Sequence, residues 1–239
     1  MKSLISIFNK LCYGRQPTEV FDNLLTITYT QFCPKPHEED KHKQAVSSYN
    51  KKEKVLINEW VHYLALKYKE GIDKKNWCDP LGDLYMEISG SYKTQGLGQF
   101  FTPEAIVDLM VKMQGFTFKL NSKINDPTCG SGRMLLAFHA NNYGNYFYAE
   151  DIDPICCKMT VTNFVFHGCL GEVICHDSLK DHDSLNFGWK ITNIGLPIPA
   201  IIPITAEESF SCKMWKNMNK AKQLNLNIPN QDGHPIYLI

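Results

Sequence analysis

The sequence carries no net charge at pH 7, because its 25 Lys and Arg residues balance its 25 Asp and Glu residues. The overall basicity typical of a chain that binds nucleic acid by itself is therefore missing. No run approaches the ~20 apolar residues of a membrane-spanning helix, and the apolar run 4–8 is too short for a secretory signal. Internal repeats and low-complexity tracts are also absent. These absences favour one or two globular domains in a cytoplasm.

Nine cysteines are present, yet none belongs to a Cys-x-x-Cys pair. Because a disulfide framework requires an oxidising compartment, reduced thiols are the simplest interpretation for a chain without a secretory signal. No metal is predicted. The alternative left open is a zinc site, whose candidate ligands are His167, Cys169, Cys175 and His176.

Charge is distributed unevenly along the chain. Residues 41–75 carry nine Lys against four acids, a local excess of five positive charges. Such a stretch is either a surface that faces nucleic-acid phosphates or a solvated helical face. The second explanation is the commoner one, and the sequence leaves both open.

Two regions differ in their apolar periodicity. Residues 1–95 show helical spacing, best seen at Leu56, Trp60, Leu64 and Tyr68, and include a polar stretch at 34–41 that is predicted to be a linker. In residues 96–239 short strand-like runs alternate with helical segments. This pattern predicts an α/β fold with a doubly wound, mostly parallel sheet, preceded by a helical N-terminal unit.

The segment Asp126-Pro127-Thr128-Cys129-Gly130-Ser131-Gly132 falls between a predicted strand and a predicted helix. Gly130 and Gly132 allow a tight turn and a close approach of the backbone to a ligand, and the following helix presents free amide groups. A dinucleotide-binding fold wants a third glycine, but position 135 is Leu, and the Gly-Lys-Ser/Thr of a P-loop does not occur. The loop therefore predicts a nucleotide-type site of another kind, at the carboxyl edge of the sheet.

Carboxylates follow the next two predicted strands. Asp151 comes after the strand at 146–149, where a carboxylate can accept hydrogen bonds from a ribose, and Asp177 comes after the strand at 172–175, where it can meet an adenine amino group. Ligands of open α/β sheets bind at the carboxyl ends of the strands. We therefore expect both acids to lie close to the glycine loop.

In order and spacing these segments resemble the N6-adenine DNA methylase family, the modification subunits of restriction systems. The resemblance spans roughly residues 78–195 and rests on five motifs, which are Asp79–Tyr85, Gly98–Pro103, Asp126–Gly132, Asp151–Pro154 with Asn163 and His167-Gly168, and Asp177–Leu179. It implies the fold of the class I methyltransferases that depend on S-adenosylmethionine (SAM).

The resemblance also implies roles for individual residues. The methionine end of SAM is expected against Gln99, Phe101, Thr102 and Pro103. The centre of the cofactor is expected against the loop that contains Asp126, Pro127, Gly130, Ser131 and Gly132. Asp151 is expected to bind the ribose hydroxyls, Ile152 to pack on the adenine face and Asp177 to bind the adenine amine. Arg133 stands where many relatives have glycine, so its role is open.

The catalytic tetrapeptide of the family, Asn/Asp-Pro-Pro-Tyr/Phe, is largely missing. In the family its polar oxygens accept the hydrogens of the adenine amine, and its ring stacks on the flipped-out base. After the fourth predicted strand this sequence reads Asn193-Ile194-Gly195-Leu196, which keeps only the amide of Asn193. His234-Pro235-Ile236-Tyr237 echoes the motif but lies far from that strand. The 46 residues from 194 to 239 are expected to be too few for a complete methyltransferase sheet.

Three functions are compatible with these residues. The first is a SAM-binding family member with weak or no activity alone, acting as an accessory subunit. The second is a working N6-adenine DNA methyltransferase, in which Asn193 is catalytic and a methylase or specificity partner supplies recognition of the DNA. The third is an interaction module on a methyltransferase scaffold that binds no cofactor.

Overall fold

The computed structural model describes residues 1–92, 100–114, 120–179, 185–223 and 236–237. Its amino-terminal part is helical, as predicted, and contains α1 (Lys2–Leu11), α2 (Pro17–Thr30), α3 (Glu39–Ser47), α4 (Lys51–Lys75) and α5 (Pro80–Tyr92). The long helix α4 begins at a capping box, in which Asn50 and Glu53 satisfy each other's backbone amides. Trp60, Leu64 and Tyr68 of its predicted apolar stripe are buried, whereas Leu56 is partly buried.

The predicted linker at 34–41 is wrong in its second half. Helix α3 begins at Glu39, and acids in its first turn favour a helix start because they face the positive end of the helix dipole. Glu38 accepts a hydrogen bond from the Tyr29 hydroxyl at 3.1 Å, which fixes the connection against α2. Residues 31–38 connect the two helices, and of the predicted linker only 34–38 lie in that connection.

One six-stranded sheet follows, in the order β5-β4-β3-β2-β1-β6. Its strands are β1 (Lys123–Asp126), β2 (Tyr146–Asp151), β3 (Leu170–Cys175), β4 (Phe187–Thr192), β5 (Ala200–Ile204) and β6 (Ile236–Tyr237). β1 pairs in parallel with β2 and β6, and β2 with β3, whereas β4 runs antiparallel to both β3 and β5. Of the six strands in the described residues only β4 is reversed, so the predicted α/β fold with a mostly parallel sheet is confirmed.

Helices cover the sheet and lead into it. They are α6 (Glu104–Gln114), α7 (Arg133–Asn141), α8 (Pro154–His167) and α9 (Phe210–Gln223). α7 connects β1 to β2 and α8 connects β2 to β3, and their apolar residues pack with those of the strands in one buried cluster. Phe210 at the start of α9 packs instead on Tyr148, with ring centroids 4.8 Å apart. Alternate residues of β2 therefore face opposite sides of the sheet.

The helical part and the sheet share buried side chains. Tyr29 of α2 lies edge-on to Trp189 of β4, with ring centroids 5.0 Å apart. The Tyr68 hydroxyl of α4 donates to Asn163 Oδ1 of α8 at 2.5 Å. The predicted boundary near residue 95 lies among residues 93–99, outside the described part of the chain. Over the described residues, no helix is long and apolar enough to cross a membrane.

Candidate functional site

The glycine loop runs from the end of β1 to the start of α7. Gly130 and Gly132 have φ of 55° and 85°, the left-handed region that L side chains rarely adopt. Gly132 is also the N-cap of α7, so the loop delivers the chain directly into the helix. Thr160 of α8 supports the loop from below, because its hydroxyl donates to the Gly130 carbonyl at 2.9 Å. The predicted turn between strand and helix is therefore present.

Asp151, at the end of β2, holds the loop from the side. Its Oδ2 accepts a hydrogen bond from the Gly130 amide at 2.8 Å, and its Oδ1 accepts one from the Asp153 amide at 2.9 Å. Burial raises the pKa of the Asp151 carboxyl, and the amide hydrogen bonds oppose that rise. Because each carboxylate oxygen has two lone pairs, Asp151 can still accept hydrogen bonds from a ligand.

Asp126, at the end of β1, begins the loop. Its side chain is buried, and its Oδ1 accepts a hydrogen bond from the Thr128 amide at 3.1 Å. Burial raises the pKa of Asp126 to about 6, the Thr128 amide counteracts this, and the nearby Asp151 carboxylate raises the pKa further. A cationic ligand beside the loop would favour the ionised form of Asp126.

Phe101 packs against Gly130 of the loop. A Cβ atom at Gly130 would lie 3.0 Å from the Phe101 ring, so the ring packs directly against the loop backbone. Thr102 and Pro103 follow on the surface, immediately before α6. The structure thus brings Phe101 to the loop. Gln99 lies outside the described residues.

The two residues assigned to the adenine lie after β2 and β3. Ile152 is 61% exposed, an unusual position for a large aliphatic side chain next to a buried strand. Asp177 is half-buried, and its Oδ1 accepts a hydrogen bond from the Leu179 amide at 3.1 Å. The backbones of the two segments are joined, because the His176 amide donates to the Asp151 carbonyl at 3.0 Å.

A buried network behind the loop was not assigned any function from the sequence. The carboxylate of Asp79, just before α5, accepts hydrogen bonds from Ser131 Oγ at 2.5 Å, Arg133 Nε at 2.6 Å and Asn163 Nδ2 at 2.9 Å. Ser131, which was expected to face the cofactor, is only 1% exposed and directs its hydroxyl away into this network. Asp79 and Asn163 both belong to the motifs that carry the family resemblance, which was the available signal.

Asn193 is far from the glycine loop, because β4, the strand before it, runs antiparallel to β3. β4 pairs antiparallel with β3, so that Ile191 lies opposite Gly171, near the amino end of β3. The loop follows the carboxyl ends of the strands, roughly 17 Å away at 3.3 Å per residue. The structure therefore does not bring Asn193, the expected catalytic amide, to the glycine loop. The Asn193 side chain instead accepts a hydrogen bond from the Gly195 amide at 2.8 Å.

The candidate zinc ligands and the other cysteines have the following surroundings among the described residues. All nine cysteines are free thiols. His167 is engaged by the Asn163 carbonyl and the Cys78 amide, and His176 pairs with the buried carboxylate of Glu150 at 2.7 Å. Across the described ranges, no three His, Cys, Asp or Glu residues are grouped so as to hold a metal ion.

The lysine-rich stretch is largely neutralised by local acids. Ion pairs with N···O distances of 3.1 Å or less join Lys41 to Glu38, Lys43 to Glu39, Lys67 and Lys74 to Glu70, Lys69 to Asp73 and Lys75 to Glu104. Most of these pairs are on the surface of α3 and α4. The solvated helical face is therefore the better interpretation of residues 41–75.

A cavity of about 580 Å³ lies elsewhere, on the α9 face of the sheet. Its lining includes Lys123, Tyr146 and Leu170, the first residues of three strands. It therefore opens toward the amino edge of the sheet. The glycine loop at the carboxyl edge remains the candidate site, because it gathers the backbone turn and the carboxylates.

A left-handed glycine pair between β1 and α7, with carboxylates at the ends of β1 and β2, defines an α/β protein of the class I methyltransferase type. The chain belongs to the N-6 DNA Methylase family, whose family model matches residues 42–231. Membership of this family implies SAM as the cofactor. The resemblance identified in the sequence is thereby confirmed.

Two curated relatives come from Methanocaldococcus jannaschii. The chain is 31% identical over 113 residues to the methylase subunit of the type I restriction enzyme MjaVII. That alignment covers 43% of the chain and 19% of the MjaVII subunit. The chain is 25% identical over 154 residues to the MjaIX methylase subunit, covering 58% of the chain and 27% of that protein. The chain thus matches about a fifth to a quarter of the length of these relatives.

Two solved structures are similar as well. The methyltransferase subunit of a type I restriction-modification system from Streptococcus thermophilus has a TM-score of 0.36 and 22% identity, covering 55% of this chain and 29% of that one. A class I SAM-dependent methyltransferase from Listeria monocytogenes, itself described as putative, has a TM-score of 0.44 and 12% identity, covering 75% and 54%. At these TM-scores neither structure adds to the assignment.

Proposed function

We propose that this chain binds SAM at the glycine loop and serves as the cofactor-binding part of an N6-adenine DNA methyltransferase of a type I restriction-modification system. The observation that carries the proposal is the contact between Asp151 and the Gly130 amide, which joins the carboxyl end of β2 to a loop built around two left-handed glycines. The Phe101 ring packs against the same glycine.

The residues present fit the chemical groups of SAM. Asp151 accepts hydrogen bonds from the ribose hydroxyls, and the exposed side chain of Ile152 packs on one adenine face. Asp177 accepts from the adenine amine, while Asp126 places negative charge near the positive sulfonium. SAM, when bound, supplies an electrophilic methyl group. The segment Gln99–Pro103 holds its methionine end, and Pro127, Ser131 and Gly132 contribute backbone to the cradle.

The proposal also covers a DNA substrate and partner subunits. It takes these from the relatives, which are methylase subunits of type I restriction enzymes. We assign to the chain a duplex DNA substrate with an adenine target, a specificity or methylase partner, and a cytoplasmic location. Weak or absent transfer by the chain alone follows from the position of Asn193.

Calorimetric titration with SAM tests the cofactor site. We expect saturable binding of one SAM per chain, abolished by Asp151→Ala and unchanged in Asp73→Ala, which removes an exposed acid of α4. Absence of binding by the folded wild-type chain would support the bare scaffold instead.

Transfer of a labelled methyl group to unmethylated DNA tests the enzymatic part. We expect little transfer by the chain alone and more when co-encoded subunits are added. Asn193→Ala should leave both SAM binding and transfer unchanged, because Asn193 lies at the other edge of the sheet. A loss of transfer specific to Asn193→Ala would restore it as the catalytic amide.

A further inference from the structure

Arg133, the first residue of α7, makes contacts that extend beyond the glycine loop. Its Nε donates to Asp79 at 2.6 Å, its Nη2 donates to Asp83 at 2.6 Å, and its Nη1 donates to the Thr102 carbonyl at 3.2 Å. Its guanidinium carbon lies 5.5 Å from the centre of the Phe101 ring. One side chain therefore contacts both the start of α5 and the Phe101–Thr102 segment.

The carboxylate of Asp79 fixes the orientation of this guanidinium. The Asp79 side chain is fully buried, and the Arg133 side chain is only 8% exposed. The second oxygen of Asp79 accepts hydrogen bonds from the Gly82 amide at 2.8 Å and from Asn163 Nδ2 at 2.9 Å. Because Asp79 is itself held from α5 and α8, the planar fork of Arg133 has one orientation in which all of its contacts form.

We infer that Arg133 is a positioning residue, which holds the Phe101–Thr102 segment against the glycine loop and so shapes the part of the pocket that receives the amino-acid end of SAM. This inference rests on the proposed function. It gives a role to a residue that stands where many relatives have glycine. It also makes the helical part of the chain, through Asp79 and Asp83, a structural component of the cofactor pocket.

The inference predicts a selective effect on ligands. The adenosine part of SAM is assigned to residues after β2 and β3, which Arg133 does not contact. Arg133→Lys keeps the positive charge but loses the planar fork, and a lysine cannot bridge Asp79, Asp83 and Thr102 together. SAM affinity should fall by about tenfold or more, whereas adenosine affinity should change by less than about threefold.

Equilibrium binding of SAM and adenosine to wild type, Arg133→Lys and Lys75→Ala tests this. Lys75→Ala is the matched control, because it removes an exposed cation that pairs with Glu104 at 2.6 Å and does not reach the loop. The thermal midpoint of each variant reports whether the fold is kept. The expected result is a loss of SAM binding confined to Arg133→Lys, with adenosine binding retained.

Asp83→Ala provides a second variant if Arg133→Lys does not fold. Asp83 is 46% exposed, so its removal is better tolerated, and its carboxylate pairs with Arg133 at 2.6 Å. It should show a smaller loss of the same selectivity. If the variants lose SAM and adenosine affinity equally, or lose neither, the inference is overturned. The proposed function still stands in that case, provided that the wild-type chain binds SAM. A wild-type chain that binds neither ligand would instead overturn the proposed function, and with it this inference.

Discussion

The Asp126 carboxylate is unfavourable in the ligand-free fold at neutral pH. Burial raises its pKa from 3.8 to about 6, so the folded state binds the proton more tightly than the unfolded state does. Stability from this group is therefore greatest when it is protonated, and is lost as the pH rises through about 6. Asp126→Asn keeps the acceptor for the Thr128 amide. It should raise the free energy of unfolding by on the order of 2 kcal/mol at pH 8.

Urea denaturation of both proteins between pH 4 and pH 8 measures this effect. The stability difference should shrink as the pH falls toward 4, where wild-type Asp126 is protonated. Asp73→Asn, at an exposed position of α4, is the control and should show no comparable pH dependence. A constant difference at all pH values would mean that the amide acts by packing and not by removing a charge.

Substitution of Ile152 tests an apolar contact in the same site. Its exposed side chain is predicted to cover one face of the adenine, and truncation to alanine removes apolar area from that contact. Ile152→Ala should weaken SAM binding by about 1 kcal/mol, roughly fivefold, with little change in stability. Leu109→Ala, which truncates a similarly exposed side chain on α6, should leave SAM binding unchanged. Equal effects of the two variants in calorimetric titrations would remove Ile152 from the site.

At the scale of secondary-structure elements, the glycine loop and α8 pack closely at the point where α7 begins. Gly132 has φ of 85°, and a Cβ atom there would lie 3.0 Å from Thr160 Cγ2. Gly195 has the same φ but open space around it. Gly195→Ala should therefore cost about 1 kcal/mol for the backbone conformation alone, and Gly132→Ala about 2–3 kcal/mol because Thr160 is also displaced.

Chemical denaturation and SAM titration of the two alanine variants separate these contributions. Only Gly132→Ala should lose SAM affinity, because Gly195 lies at the other edge of the sheet. If both variants lose the same stability and neither loses affinity, the packing of α8 against the loop is not part of the cofactor site.

The glycine loop and the acids after β2 and β3 were predictable because each signal is local. A strand, a glycine turn and a helix follow one another within about a dozen residues, and parallel strands then bring Asp126 and Asp151 together. The direction of β4 was misjudged. The strands expected from the sequence, 172–175 and 190–193, leave about 14 residues between them, which is enough for a parallel connection. In the structure β4 begins earlier, at Phe187, and pairs antiparallel with β3. The direction of the strand depends on where it begins, and the apolar pattern did not fix that point.

The contacts of the buried network around Asp79 could not be predicted from the sequence, for a different reason. Asp79 and Arg133 are 54 positions apart in the sequence, and their contact depends on how α5 packs against the loop. The same holds for the Tyr68–Asn163 hydrogen bond, which spans 95 positions. Spacing along the chain predicts which elements form. It does not specify which polar side chains are buried together once those elements pack.

For the whole molecule, the packing of the helical part decides whether the sheet is stable by itself. Tyr29 of α2, with Cys33 and Trp77, enters the cluster that α7 and α8 form with the strands, while Cys156 and Met159 of α8 enter the cluster of the helical part. Each part therefore completes the other's core. Because removing either part would expose apolar surface, we expect the described chain to unfold as one unit.

Tyr29→Ala tests this coupling. The Tyr29 side chain is fully buried in α2 and packs on Trp189 of β4, so its truncation removes contacts from both parts. The free energy of unfolding should fall by about 3–5 kcal/mol. Calorimetry should still show a single transition at a lower temperature, and the loss of helical and aromatic circular dichroism should coincide. Tyr13→Ala, at a position that is 91% exposed, should change neither. Two separate transitions, of which Tyr29→Ala shifts only one, would show instead that the helical part and the sheet are independent domains in contact.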